Sequence, residues 1–221
     1  MAIEIGSGKG ALTASLLECA DRVIAIEVDT VLVHYLRRQF QEPIAAGRLE
    51  VIEGDVLTTD LARLAERPVI VGNLPYYITS PILERVFALA GAWQSAVFLV
   101  QSEVAHRITA VPGTRDFGYL SVMVQAQSRA ELLFPVPREA FHPPPKVESA
   151  VVRLTARGAG IPDLPGFLKF ARTCFKQKRK TLRNNLLPTY GAERVEALPE
   201  ARLRAEQLSV EQLIALHQRL A

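Results

Sequence analysis

Short runs rich in Val and Ile, bounded by turn residues, alternate along the first hundred positions with longer segments whose apolar residues recur every three or four places. Residues 2–5, 22–26, 49–52, 68–71 and 96–100 have the length and β-branched content of strands. Residues 11–20, 31–39, 61–66 and 81–90 between them have the periodicity of amphipathic helices. Strands that alternate with helices need crossovers, which predicts an α/β fold: a doubly wound, mostly parallel sheet covered on both faces. Residues 129–134 and 149–155 read as late strands, including an antiparallel edge. Between them Pro135, Pro137 and Pro143 to Pro145 predict no regular structure, because each removes an N–H and restrains its predecessor.

Residues 157–162, Arg-Gly-Ala-Gly-Ile-Pro, predict a linker that divides the chain into domains 1–157 and 158–221. The second is a small C-terminal all-helical domain. Asp163 or Pro165 starts a helix carrying Phe167, Phe170 and Phe175, and Ser209 with Gln212 forms a capping box that opens the last helix. With 221 residues, 49% hydrophobic and 22% charged, the chain has a globular composition and length enough for a core, which argues against disorder and coiled coil. No run approaches the ~18 apolar residues of a membrane span, and the start MAIEIGSGKG lacks the pattern of a signal peptide, so a soluble cytoplasmic monomer that binds no membrane is expected. Cys19 and Cys174 are too few for a disulfide framework and are expected to be reduced, buried packing residues. No His, Cys and Asp residues have metal-ligand spacing, so no metal is expected.

Charge separates the two parts. Up to Arg157 there are 15 Lys and Arg against 17 Asp and Glu; from Gly158 onward there are 11 against 6. Most of the excess lies in Lys169, Arg172, Lys176, Lys178, Arg179, Lys180 and Arg183, a stretch without an acid. On one helix six of these would share a face opposite Phe167, Phe170, Cys174 and Leu182. A polyanion accounts for such a face; a merely solvated helix is the alternative.

Glu4-Ile-Gly-Ser-Gly-Lys-Gly10 follows a strand and opens a helix, where Gly6, Gly8 and Gly10 let the backbone approach a nucleotide-like ligand, or simply form a tight turn. It is not a P-loop, since Lys9 is followed by Gly10 rather than Ser or Thr. Glu27 ends the second strand, where an acid accepts hydrogen bonds from a ribose diol; NAD and S-adenosylmethionine both present one. Asp55, after the third strand, adds an acid to the same rim or caps a helix. The discriminating motif is Asn73-Leu74-Pro75-Tyr76. Pro75 pushes Leu74 toward an extended conformation, so the Leu74 carbonyl stays outside any helix ladder beside the Asn73 side-chain carbonyl. Two converging acceptors can bind an exocyclic amine and draw its lone pair out of ring conjugation, while Tyr76 offers a ring for the base to stack on.

Together with these, Gln101-Ser-Glu-Val-Ala105, Phe141-His-Pro-Pro-Pro-Lys-Val147 with Ser149, and Lys178-Arg-Lys-Thr-Leu-Arg-Asn-Asn185 make the sequence resemble the ribosomal RNA adenine dimethyltransferases, most closely the housekeeping small-subunit branch. The resemblance spans nearly the whole chain. It implies a Rossmann-like methyltransferase sheet, S-adenosylmethionine as donor, and two transfers onto N6 of adenines in the RNA of the small ribosomal subunit. It further implies that Glu4, Gly6, Gly8, Gly10, Glu27, Asp55, Val56 and Asn73 line the cofactor, with Glu27 on the ribose and Asp55 on the adenine. Asn73 and the Leu74 carbonyl would hold the target amine, Tyr76 and Phe141 would sandwich the target base, and Lys146, Lys176, Lys178, Arg179, Lys180 and Arg183 would meet RNA.

The sequence departs from that family in three places. Ser7 stands where the housekeeping branch has Pro, so Gly-Ser-Gly-Lys-Gly is closer to the resistance branch that methylates large-subunit RNA; Tyr77 replaces a residue commonly Asn. The chain starts at the first strand, whereas relatives carry a preceding helical segment that closes over the cofactor. The alternatives are therefore a resistance-type large-subunit methyltransferase and a catalytically weak RNA-binding assembly factor. An NAD oxidoreductase leaves Asn73-Leu-Pro-Tyr76 unexplained.

Overall fold

In chain order the computed structural model runs β1 (Ala2–Ile5), α1 (Ala11–Cys19), β2 (Val23–Glu27), α2 (Thr30–Gln39), α3 (Gln41–Ala45), β3 (Leu49–Glu53), β4 (Val69–Asn73), α4 (Thr79–Phe87), β5 (Ser95–Gln101), α5 (Ser102–Thr109), α6 (Tyr119–Gln125), β6 (Ser128–Val136) and β7 (Ser149–Ala156). Four more helices complete it: α7 (Leu164–Cys174), α8 (Leu182–Tyr190), α9 (Ala192–Glu196) and α10 (Val210–Leu220). Residues 1–89, 91–158 and 160–220 are described; Ala90, at the expected end of a helix, and Ala159, in the expected linker, lie outside them, as does Ala221.

The sheet has seven strands in the order β3-β2-β1-β4-β5-β7-β6. Pairs β1/β2, β1/β4, β2/β3 and β4/β5 are parallel, whereas β7 lies antiparallel to β5 with Ser149 opposite Gln101. β1 and β2 read as unbroken apolar runs because both faces are covered; all four residues of β1 and all five of β2 are buried. Parallel register brings Ile5, Glu27, Glu53 and Asn73 to one edge of the sheet. From β1 the order runs one way to β2 and β3 and the other way to β4. Loops after β1 and β4 therefore flank the reversal, the place where open α/β sheets bind ligands.

Two expected elements differ in physically clear ways. In 61–66 only the 3-10 turn Leu61–Arg63 forms, because Pro68 excludes the helical conformation from its predecessor, and Arg67 sits at φ +46°. β6 runs through Pro135 to Val136; an edge strand tolerates a proline whose missing N–H would have faced solvent.

The chain divides into two compact units, Met1–Ala105 with Arg129–Gly158, and His106–Ser128 with Ala159–Ala221. The expected boundary, 1–157 against 158–221, thus misplaces residues 106–128. Phe117, Val122 and Ala126 belong to the same buried cluster as Phe167, Phe170, Leu182 and Leu213, which gives those residues their hydrophobic reason for joining the helical unit. Within that unit Asp163 caps α7 by accepting from Gly166 N–H at 3.0 Å. Ser209 and Gln212 form the expected reciprocal cap on α10, at 2.8 and 3.2 Å.

The basic stretch is not one helix. α7 ends at Cys174 and α8 begins at Leu182, with a turn between them. The buried Asn185 side chain organises that turn: it accepts from Gln177 N–H at 3.0 Å and donates to the carbonyls of Cys174 and Gln177 at 2.9 and 3.2 Å. Cys174 is buried as expected, but Cys19 is exposed, since α1 buries only Thr13 and Leu17 and its last residue faces solvent. Among the described residues no helix is long and apolar enough to cross a membrane.

Replacing Phe117 with Ala removes a fully buried ring from the helical unit and should cost roughly 3 to 5 kcal/mol. Limited proteolysis of Phe117→Ala is expected to open cleavage sites both in 106–128 and beyond residue 160 while 1–105 stays protected.

Candidate active site at the carboxyl edge

The loop after β1 is held in shape by the acid that ends β2. Gly8 N–H donates to Glu27 Oε2 at 2.8 Å, and the N–H groups of Val28 and Asp29 donate to Oε1 at 2.9 and 3.0 Å. An ionised carboxylate offers about four acceptor positions, so roughly one remains for a ligand hydroxyl. Glu27 therefore stitches the glycine loop to the β2 rim as well as facing the crevice, a role the sequence did not indicate.

The three glycines have separate reasons to be glycine. All three have positive φ, +71° at Gly6, +56° at Gly8 and +81° at Gly10. A Cβ on Gly8 would meet nothing within 4 Å, so this backbone is open to a ligand; a Cβ on Gly10 would lie 2.5 Å from Phe40 and 2.8 Å from Leu36. Gly10 thus serves the packing of α1 against α2. Between the first two, Ser7 is buried, and its hydroxyl has no hydrogen-bond partner among the described residues.

Glu4 lies within the strand, 1% exposed, and its Oε2 accepts from the Thr13 hydroxyl at 2.6 Å. Burial pushes its carboxyl above the ordinary 4.5; the Thr13 bond and the nearby Ser7 hydroxyl oppose this, and the charge of Glu27 adds to it. Asp55 is exposed on the same rim and shapes the following turn through Oδ1, which accepts from Leu57 N–H at 2.9 Å, while Val56 is buried beside it.

At the end of β4, Asn73 is exposed and Leu74 is 1% exposed. Leu74 N–H donates to Leu99 O at 3.1 Å, which extends the ladder by one residue. Pro75 then takes φ −58° and ψ 125°, outside the helical region, and a 3-10 turn covers Tyr76–Ile78. Neither the Asn73 side chain nor the Leu74 carbonyl has a hydrogen-bond partner among the described residues. Gly72 before them is required by close approach, since a Cβ there would lie 2.7 Å from Ile5 O.

Phe141 closes the 3-10 turn Arg138–Ala140 and lines a cavity of about 470 Å³ with Arg138, His142 and Pro145. Lys146 is exposed in the loop that follows. In the helical unit Lys176, Lys178, Arg179 and Lys180 are exposed on the turn between α7 and α8, and the Lys178 ammonium donates to the Arg115 carbonyl. Arg183 stands apart, because it is paired with Glu196 through Nε at 3.2 Å and Nη2 at 2.5 Å. Arg172 lies over the Tyr119 ring, 5.0 Å from its centroid. Among the described residues no three His, Cys, Asp or Glu side chains converge as metal ligands would.

Comparison with known proteins places this geometry in context. The family described as ribosomal RNA adenine dimethylase matches residues 1–221. The ribosomal RNA small subunit methyltransferase A of Chlorobium chlorochromatii is 43% identical over 97% of this chain and 80% of its own length. That of Acidobacterium capsulatum is 45% identical over 97% of this chain and 79% of its own. Among solved structures, a dimethyladenosine transferase from Plasmodium falciparum superposes with a TM-score of 0.83 at 26% identity, covering 97% of this chain and 87% of its own. The 23S rRNA methyltransferase ErmE gives 0.74 at 28% identity, with 99% and 90% covered.

Glu4 supplies a pH test of this buried edge. Its folded-state value lies above the unfolded one, so the stability tied to its protonated form is complete below the unfolded value and is lost as pH rises through the raised value. Glu4→Gln keeps an acceptor for Thr13 and cannot ionise. Its melting temperature relative to the parent should therefore climb as pH rises above the ordinary 4.5; a difference independent of pH would mean that burial does not raise the Glu4 carboxyl.

Proposed function

The chain belongs to the ribosomal RNA adenine dimethylases, and from that premise we propose that it transfers methyl groups from S-adenosylmethionine to N6 of adenines in the RNA of the small ribosomal subunit. The observation that carries the reading is the end of β4, where two carbonyl acceptors stand at the strand-order reversal with no hydrogen-bond partner among the described residues. Small-subunit rather than large-subunit RNA is favoured by the relatives at 43% and 45% identity, against 28% for the 23S enzyme.

The crevice suits the donor. Gly8 presents open backbone, Glu27 keeps one acceptor position for a ribose hydroxyl, and the exposed Asp55 can accept from an adenine amine. When bound, S-adenosylmethionine supplies a sulfonium methyl, the electrophile. Glu27, buried close to the glycine loop, favours a positively charged ligand there.

The remaining chemistry belongs to the chain. Asn73 Oδ1 and the Leu74 carbonyl accept the two N6 hydrogens of the target adenine, which pulls the nitrogen toward a tetrahedral arrangement and localises its lone pair. Leu74 holds this geometry through its buried side chain and its bond to Leu99. Tyr76 and Phe141 stack the extruded base. No side chain has to act as a general base, because the amine becomes acidic as it is methylated, and catalysis rests on positioning. Lys176, Arg179 and Lys180 on the helical unit, with Lys146 on the sheet unit, contact phosphates.

Immature small subunits incubated with labelled donor and the protein, followed by mapping of the modified base, test the reading; label confined to large-subunit RNA would favour the resistance-type assignment. Asn73→Ala is expected to reduce kcat at least a hundredfold with donor affinity by calorimetry within about threefold. Equal loss of both would move Asn73 from the target to the donor. Gln at Lys176, Arg179 and Lys180 together should flatten the salt dependence of RNA binding by about two to three units without changing the melting temperature. Arg183→Gln, whose charge is already met by Glu196, should flatten it less than any one of the three.

A further inference from the structure

Tyr76 and Ser149 lie 73 positions apart and meet through their side chains, with Tyr76 Oη 2.6 Å from Ser149 Oγ. The two residues are held very differently. Ser149 is fully buried, opens β7 opposite Gln101 of β5, and is flanked by a bond from Ser102 N–H to Glu148 O at 2.9 Å. The sheet fixes it through its pairing with β5. Tyr76 stands on a 3-10 turn in which Ile78 N–H donates to Pro75 O at 3.1 Å and the Thr79 hydroxyl to the Pro75 carbonyl at 3.3 Å. Its ring is half-buried and would pivot about χ1 and χ2 without a fixed point at its far end.

We infer that Ser149 is a positioning residue for methyl transfer: its hydroxyl pins the tip of the Tyr76 ring so that a face of the ring, rather than an edge, is offered to the target base. The inference rests on the reading of Tyr76 as a stacking platform. It adds that the phenol hydroxyl is spent inside the protein, so Tyr76 acts on the base through its π-face alone. The loop that carries Phe141 leads into β7, the strand that Ser149 opens.

Ser149→Ala, Tyr76→Phe and the double variant, assayed for methyl transfer to immature small subunits, provide the test. Each single change should lower kcat about five- to tenfold and raise the KM for RNA, with donor affinity by calorimetry within about twofold. The double variant should be no worse than either single, because both remove one bond. Tyr76→Phe keeps the ring and removes only the hydroxyl, so it carries the test if Ser149→Ala folds poorly. Parental kcat in Tyr76→Phe, or losses that multiply in the double variant, would overturn the inference. A parent protein that methylates no ribosomal RNA adenine would defeat the functional reading itself, and the inference with it.

Discussion

The reversal of strand order between β1 and β4 is the constraint on which the rest of the sheet unit depends. Parallel strands whose crossovers lead away in opposite directions leave a gap at their carboxyl ends that no connection can cover. Backbone polar groups at that gap lie beyond the ladder and must find partners or face solvent. The chain settles several of them internally, with Glu27 taking three N–H groups from two loops and Asp55 taking one from its own turn. Among the groups it leaves open are the Asn73 side chain and the Leu74 carbonyl, which have no hydrogen-bond partner among the described residues.

Much of this was legible beforehand. β1 and β2 follow Val- and Ile-rich runs whose burial on both faces leaves no polar alternation to confuse the reading, and the capping pair Ser209 and Gln212 is a local signal that tertiary structure had no reason to override. The α6 segment was not legible. It is seven residues long and apolar on most sides, so it has no helical stripe, and its place is set by Phe117 and Val122 meeting rings from the end of the chain. Periodicity also misread the basic stretch as one helix. Its charges do recur at helical spacing, but Asn185 reaches back to bind the backbone at 174 and 177, and a contact eight to eleven residues away leaves no trace in a repeat.

The candidate site shows the same divide. Residue types and order located Glu27, Asp55, Asn73 and Tyr76 on one rim because strand ends are a matter of sequence. Which of them is already engaged, and with what, is a matter of distance. Gly10 looks like its neighbours in the motif, yet Phe40 accounts for it; Arg183 looks like its neighbours in the tail, yet Glu196 accounts for it. Charge also differs between the two units, with acids around the crevice of the sheet unit and lysines on the α7–α8 turn of the helical unit.

The helical unit is built from two pieces of chain with two sheet strands between them. During synthesis residues 106–128 emerge first, and Phe117 and Val122 have no partners until Phe167, Phe170 and Leu182 follow. Closure of this core therefore waits until residues 160–220 have been made and depends on contacts far apart in sequence, which slows it. In that interval the parallel core of β1 to β5 already has all its strands. A nascent chain stalled before residue 160 would combine a largely paired sheet with bare aromatic and aliphatic side chains, the kind of surface that chaperones and proteases act upon. The interleaved order of the chain makes synthesis of residues 160–220 a condition for leaving that surveillance.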